Sequence, residues 1–149
     1  MALGERRGER DLLDALFEET LEIARRTRDL MEQQAARQPH RTGPQPVLAE
    51  LERAVRTGRI ATRLSACMAW LLARRAVGAG ELSADRARDE AWRLLRLEGD
   101  FWEAPEAGEE DRLGRLAAQA ERLYARIRRL DRSLDGPSQP GIVEPGQGA

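Results

Sequence analysis

The chain has 149 residues, of which 41% are hydrophobic and 34% are charged, and its formal net charge is −1. This length suits one domain, and the near-zero charge argues against a protein that holds nucleic acid through a basic excess. A single Cys excludes an intramolecular disulfide and a multi-Cys metal site, while the dominance of Ala, Leu, Arg and Glu predicts an all-α fold.

The first predicted helix runs from Glu9 or Asp11 to Gln34. Its apolar and threonine positions recur at alternating spacings of three and four residues, which indicates one stripe packed along another helix. The positions of this stripe are Leu13, Leu16, Thr20, Ile23, Thr27 and Leu30. Residues 37–46 follow with three prolines and one glycine, and they are predicted to form a linker.

The second predicted helix, from about Pro46 to Val77, changes character along its length. Its first half carries a single apolar stripe, whereas from Ile60 onward it is apolar almost all round, with no charge between Leu64 and Ala73. Such a helix is buried on more than one side, so it is either the centre of a bundle or shared with a second subunit. The predicted core or dimer-interface residues are Ile60, Leu64, Met68, Leu71 and Leu72.

Three residues of this helix carry polar groups that need partners if they are buried. Arg59 and Arg63 stand four residues apart at the entry to the apolar half, and a nearly buried charge must be paired. We therefore expect either a structural salt bridge, with an acid on the first helix as one option, or a direct role in partner binding; two solvated arginines are the simplest alternative. The indole N–H of Trp70 also needs a hydrogen-bond acceptor.

The second half of the chain is predicted to hold a shorter helix and a last long one. Ser83 is a plausible N-cap for a helix over 84–97, and residues 98–111 form an acidic loop. The last helix, from about Glu110 to Leu134, carries the cleanest heptad stripe and a basic outer face. Its stripe consists of Leu113, Leu116, Ala120, Leu123, Ile127, Leu130 and Leu134. Residues 1–135 are thus predicted to be one antiparallel helical bundle domain of three long helices plus one shorter helix, and 136–149 a disordered tail.

Candidate chemistry is sparse, which favours a protein that is not an enzyme and has no cofactor. The sole histidine, His40, lies in the Pro-rich linker, so the Glu-x-x-His pairs of a helical di-iron site are lacking. Cys67 lies within an apolar stretch and is predicted to be a small core residue. A cytoplasmic location is expected, because the charged N-terminus lacks the apolar run of a secretory signal and no stretch reaches the length of a membrane span.

Four segments in order resemble the RcdA family, the regulator of CtrA degradation. The segment RIATRLSACMAWLLARRAV, residues 59–77, is similar to the central helix of that family. Further similarity extends over LFEETLEIARRTRDLM, GELSADRARDEAWRLL and RLYARIRRLDR, so that the resemblance covers roughly residues 12–133. Two segments depart from the pattern: SACM at 65–68 replaces a more polar family segment, and the linker at 37–46 is unusually Pro-rich.

This resemblance implies an alphaproteobacterial, cytoplasmic helical bundle that forms a homodimer. It further implies an adaptor for the ClpXP protease, which works with protease primed by a CpdR-like response regulator. The cargo would be cell-cycle regulators of the CtrA type, and recruitment to a cell pole is an associated expectation. Nucleic acid is not expected as a partner, and no membrane span is expected.

Two other functions stay open at the level of sequence. One is a structural or scaffolding helical dimer without any link to a protease. The other is a helical DNA-binding regulator, suggested by the basic last helix and opposed by the near-zero net charge and the lack of an obvious helix-turn-helix.

Overall fold

The computed structural model describes residues 2–37, 47–97 and 111–136. Within these ranges the fold is all-helical, as predicted, and no strand is present. The helices are α1 (Ala2–Arg37), α2 (Val47–Gly78) and α3 (Arg112–Ser133), and two short 3-10 helices, Arg86–Arg88 and Glu90–Trp92, lie between α2 and α3. The predicted linker beyond Arg37, most of the acidic loop, and the tail after Gly136 lie outside the described residues.

Helix α1 begins earlier than predicted and ends three residues later. The apolar stripe starts only at Leu12 and Leu13, so periodicity gives no signal over the first turns. Those turns are rich in Glu and Arg, which are good helix formers, and the side chains from Arg6 to Asp11 are exposed. The two threonines of the stripe are buried, and each satisfies its hydroxyl by donating to the carbonyl four residues earlier. Thr20 donates to Leu16 at 2.7 Å, and Thr27 donates to Ile23 at 2.8 Å.

The C-terminus of α2 is closed by a glycine motif. Gly80 adopts a positive φ of 78°, a conformation that a residue without Cβ reaches at no steric cost. Its N–H donates to the carbonyl of Val77 at 3.1 Å, and the N–H of Glu81 donates to that of Ala76 at 2.9 Å. These two bonds are the Schellman pair, so the glycine expected to end this helix satisfies its last carbonyl groups.

The relative directions of the helices follow from their contacts. Arg75 near the end of α2 pairs with Asp14 near the start of α1 at 2.7 Å, so these two helices are antiparallel. In contrast, α2 and α3 run in the same direction, because Arg56 meets Asp111 and Arg63 meets Glu121. This pair therefore differs from the antiparallel packing predicted for the bundle. The segment 79–97 starts the return that makes this arrangement possible, since Leu97 contacts Tyr124 through its backbone N–H at 3.1 Å.

The core lies between the three helices and is built from the predicted stripes. Leu16 and Ile23 from α1 pack with residues of α2 and α3, and the α3 stripe is buried from Leu113 to Ile127. Leu71, Leu123 and Ile127 have no exposed surface. The heptad pattern of the last helix is therefore confirmed at its first five positions, while Leu130 and Leu134 are partly buried against the core.

The shorter helix predicted over 84–97 is not an α-helix. The chain there makes only the two 3-10 turns and then continues as irregular backbone. Ser83 behaves partly as expected, because its hydroxyl accepts a hydrogen bond from Arg86 N at 3.2 Å. However, only Ala87 and Leu94 of the predicted apolar face are buried, while Trp92 is 41% and Leu95 62% exposed.

The physical reason is that main-chain groups of this segment find partners on the neighbouring helices. Arg74 of α2 donates to the carbonyl of Ala87 at 2.7 Å, and the hydroxyl of Tyr124 on α3 donates to the carbonyl of Leu95 at 2.8 Å. Groups satisfied in this way do not need the intrahelical bonds of an α-helix. Tertiary contacts thus override a helical propensity that is only a weak prior.

Candidate interaction surface

A groove of about 330 Å³ opens between α2 and α3, and we call it the arginine groove. Arg56, Arg59 and Arg63 line it from α2, at spacings of three and four residues that place them along one side of the helix. From α3 it is lined mainly by small side chains: Ala117, Ala118, Ala120 and Ala125. The groove therefore combines a cationic edge with an apolar lining.

Two of its arginines are held by acids of α3. Arg63 donates from Nε to Glu121 Oε1 at 2.8 Å, and its guanidinium lies 5.2 Å from the centre of the Tyr124 ring. Arg56 donates to Asp111 Oδ2 at 3.1 Å. The structural salt bridge expected for Arg63 is therefore present, but its partner lies on α3 and not on the first helix.

Asp111 serves both the groove and the start of α3. Its Oδ1 accepts from Gly114 N at 2.8 Å, which caps the helix, while its other carboxylate oxygen holds Arg56. A Cβ added at Gly114 would lie 2.4 Å from Oδ2 of this carboxylate. Glycine at this position thus allows one aspartate to cap the helix and pair with α2 at the same time.

Arg59 and Arg122 give the groove its excess charge. Arg122 lies across the groove on α3, and within the described part of the chain neither residue has an acid at ion-pair distance. Both are exposed. Since the other two arginines are matched by Asp111 and Glu121, the groove carries a net positive charge from these two.

An exposed apolar stripe continues the surface along the first half of α2. Leu48, Leu51 and Val55 are 71%, 58% and 48% exposed, and their spacing of three and four residues puts them on one face of the helix. Arg59 is the next position of the same face, four residues after Val55. The stripe and the arginine groove are therefore continuous.

The predicted core or dimer-interface residues divide into two groups. Ile60, Leu64 and Leu71 are 1%, 7% and 0% exposed, so the protomer's own core already occupies them. Met68 is partly buried, and Leu72 is 51% exposed. The apolar half of α2 is covered by α1, by α3 and by the segment 81–97, which leaves Leu72 as the member of the set that is open to another molecule.

The acceptor for Trp70, which sequence reasoning left unassigned, is Asp131. Its Oδ1 accepts from Trp70 Nε1 at 2.8 Å, from Arg93 Nε at 2.8 Å and from Leu94 N at 3.3 Å. The carboxylate thereby joins α2, α3 and the irregular segment in one buried network. Paired carboxyl groups raise the pKa of Arg93, with Asp135 the first contributor and Asp131 the second.

Cys67 lies in the core beside this network and has no exposed surface. Burial raises the pKa of its thiol to about 12, so the thiol is protonated at neutral pH and a poor nucleophile. Within the described residues, no group of three or more His, Cys, Asp or Glu side chains could hold a metal ion. In the same part of the chain, no helix is both long and apolar enough to cross a membrane.

Fold and surface define the class of protein: a small helical bundle that carries an exposed cationic and apolar surface along one helix. Residues 4–144 match the family model described as "Protein of unknown function (DUF1465)", and the chain belongs to this family. A comparison with curated proteins finds no match.

Among solved structures, the chain is similar to RcdA from Caulobacter crescentus CB15. The crystal structure of that protein is 28% identical in sequence and superposes with a TM-score of 0.57. The similarity covers 83% of this chain and 90% of that chain. The resemblance to the RcdA family that the sequence segments predicted is thereby confirmed.

Proposed function

We propose that this protein is a non-enzymatic adaptor that promotes the degradation of cell-cycle regulators by the ClpXP protease. In this proposal it binds its cargo on one surface and protease primed by a CpdR-like response regulator on another. The observation that carries the proposal is the similarity to RcdA over most of both chains. A rigid bundle with an exposed binding surface suits this role, because tethering raises the local concentration of cargo without any chemistry.

The proposal includes a homodimer that is located in the cytoplasm, with recruitment to a cell pole as a further element. Leu72 supports the dimer, since a large apolar side chain near the end of the uncharged segment of α2 is half exposed. Because Ile60, Leu64 and Leu71 are occupied inside the protomer, the proposed dimer contact uses the outer side of α2.

The decisive experiment reconstitutes proteolysis with purified ClpXP, a CpdR-like regulator and fluorescently labelled cargo of the CtrA type. We expect the cargo half-life to fall several-fold when this protein is added, and the effect to need the response regulator. A matched control uses Leu71→Arg, which places a charge at a fully buried position, and should abolish delivery together with the fold.

An unchanged half-life with folded protein would contradict the adaptor function for that cargo and favour the scaffolding alternative. A chain that ends at Asp135 tests the tail separately. If that chain delivers cargo as well as the full chain does, residues 136–149 take no part in delivery.

A further inference from the structure

The arginine groove and the apolar stripe form one continuous surface, and their chemistry restricts what can bind there. Arg59 and Arg122 supply two positive charges, one from each helix, that no acid among the described residues matches. The alanine lining of α3 lets a partner's backbone approach closely, while Leu48, Leu51 and Val55 offer exposed apolar area for several turns along α2.

We propose that this surface binds an acidic amphipathic helix of the cargo protein. The apolar residues of that helix would pack on the stripe and the alanines, and its carboxylates would pair with Arg59 and Arg122. This assignment rests on the proposed function, because it makes the groove the cargo side of the adaptor. Helix-in-groove recognition of this kind is read through apolar anchors at spacings of three and four residues.

Two features favour a protein segment over nucleic acid. Two of the four groove arginines are already paired with carboxylates, so the groove offers only two further charges, fewer than the phosphate contacts on which nucleic-acid binding usually depends. In addition, three exposed aliphatic side chains continue the surface, and these match an apolar helix face better than a sugar-phosphate backbone. Charge complementarity across the groove would mainly set orientation and association rate.

The test measures binding directly and without protease, by fluorescence anisotropy of a labelled synthetic helix of about five turns. This probe carries Leu at spacings of three and four and Glu on both flanks; a second probe replaces each Glu with Gln. We expect the acidic probe to bind the full chain, and the Gln probe to bind about tenfold more weakly.

Matched variants locate the binding on the chain. Arg59→Glu together with Arg122→Glu should raise the Kd of the acidic probe at least about tenfold. Arg25→Glu with Arg86→Glu, the same change of charge at exposed positions outside the groove, should leave it unaltered. Likewise Leu51→Ser should weaken binding, whereas Leu12→Ser, at an exposed leucine of α1, should not. Circular dichroism verifies the fold of each variant.

Equal binding of the two probes, or binding that the groove variant does not weaken, overturns the proposal. Duplex DNA that binds in place of the acidic probe, with the same dependence on Arg59 and Arg122, also overturns it. A fall in sedimenting mass in the groove variant would do the same, because it would assign the surface to a second copy of the chain. If the unaltered protein fails to deliver cargo while probe binding depends on these arginines, the adaptor function is wrong and the assignment of the binding surface is kept. If the groove variant delivers cargo as well as the unaltered protein does, only the assignment of the surface is wrong.

Discussion

At the scale of single residues, Asp131 joins α2, α3 and the irregular segment through one carboxylate. One carboxylate oxygen accepts from Trp70, Arg93 and Leu94, and the other accepts from Arg93 Nη2 at 3.2 Å. Its loss would leave the buried indole N–H without an acceptor, and it would leave the partly buried guanidinium of Arg93 with only Asp135 and a backbone carbonyl. Groups stranded in this way cost more than the net value of the hydrogen bonds themselves.

We therefore expect Asp131→Ala to lower the free energy of unfolding by about 3 kcal/mol, measured by urea denaturation. Asp131→Asn keeps an acceptor oxygen and should cost less. The control is Asp135→Ala, because Asp135 also pairs with Arg93 but is exposed, and its loss should be much smaller. Equal losses for the two alanine variants would show that the buried network contributes no more to the free energy of unfolding than the exposed ion pair does.

The sequence indicated that Trp70 needs an acceptor, yet it could not point to Asp131. Asp131 follows Leu130 of the heptad stripe and precedes Arg132, so it looks like an ordinary solvated position. Only the parallel course of α2 and α3 brings the two side chains together. The same limit applies to Arg63, since its need for a partner was readable and the helix that supplies Glu121 was not.

At the scale of elements, the start of α3 shows how one side chain joins two helices. Asp111 caps the helix and holds Arg56, and the lack of a Cβ at Gly114 makes room for it. Glycine inside a helix otherwise costs about 1 kcal/mol relative to alanine. The site therefore exchanges helix propensity for a cap and an interhelical ion pair.

A double-mutant cycle tests this exchange. Gly114→Ala alone should leave the free energy of unfolding unchanged or lower it, because the added Cβ displaces the capping carboxylate. Introduced into Asp111→Ala, where there is nothing to displace, the same change should stabilise by about 0.5–1 kcal/mol. Additive effects of the two substitutions, measured by urea denaturation, would show that Gly114 and Asp111 are not coupled.

Long elements were predictable because their apolar stripes repeat over many turns. The stripes of α1 and α3 gave the buried residues correctly, and Pro46 and the glycines near residue 80 bounded α2. In contrast, residues 84–97 contain good helix formers but only a few apolar positions. Their backbone is held by Arg74 and Tyr124 from other elements, and such long-range contacts leave no trace in local periodicity.

At the scale of the whole molecule, the proposed dimer depends on Leu72, the exposed member of the predicted interface residues. Sequence periodicity indicated an α2 buried on several sides, and the protomer itself accounts for most of that burial. In the proposed dimer, the second subunit contacts the outer side of α2. A dimer that forms there would bury Leu72 while it leaves the core untouched.

We expect Leu72→Glu to convert the proposed dimer into a folded monomer, with the mass measured by sedimentation and the helix content by circular dichroism. An equivalent change at Leu12, which is 46% exposed on α1, serves as the control and should leave the mass unaltered. Should Leu72→Glu remain dimeric, the contact lies on another face.

The irregular segment 81–97 should tolerate many changes of sequence. The groups that anchor it belong mostly to other elements, and they bind main-chain atoms, which every residue type provides except that proline lacks the N–H. Five positions carry side chains that are packed, paired or hydrogen-bonded: Ser83, Ala87, Arg93, Leu94 and Leu97. The other positions of residues 81–97 are therefore nearly free to change. Relatives of this protein should differ here in sequence and keep the same path, provided that Arg74, Tyr124 and Asp131 are retained.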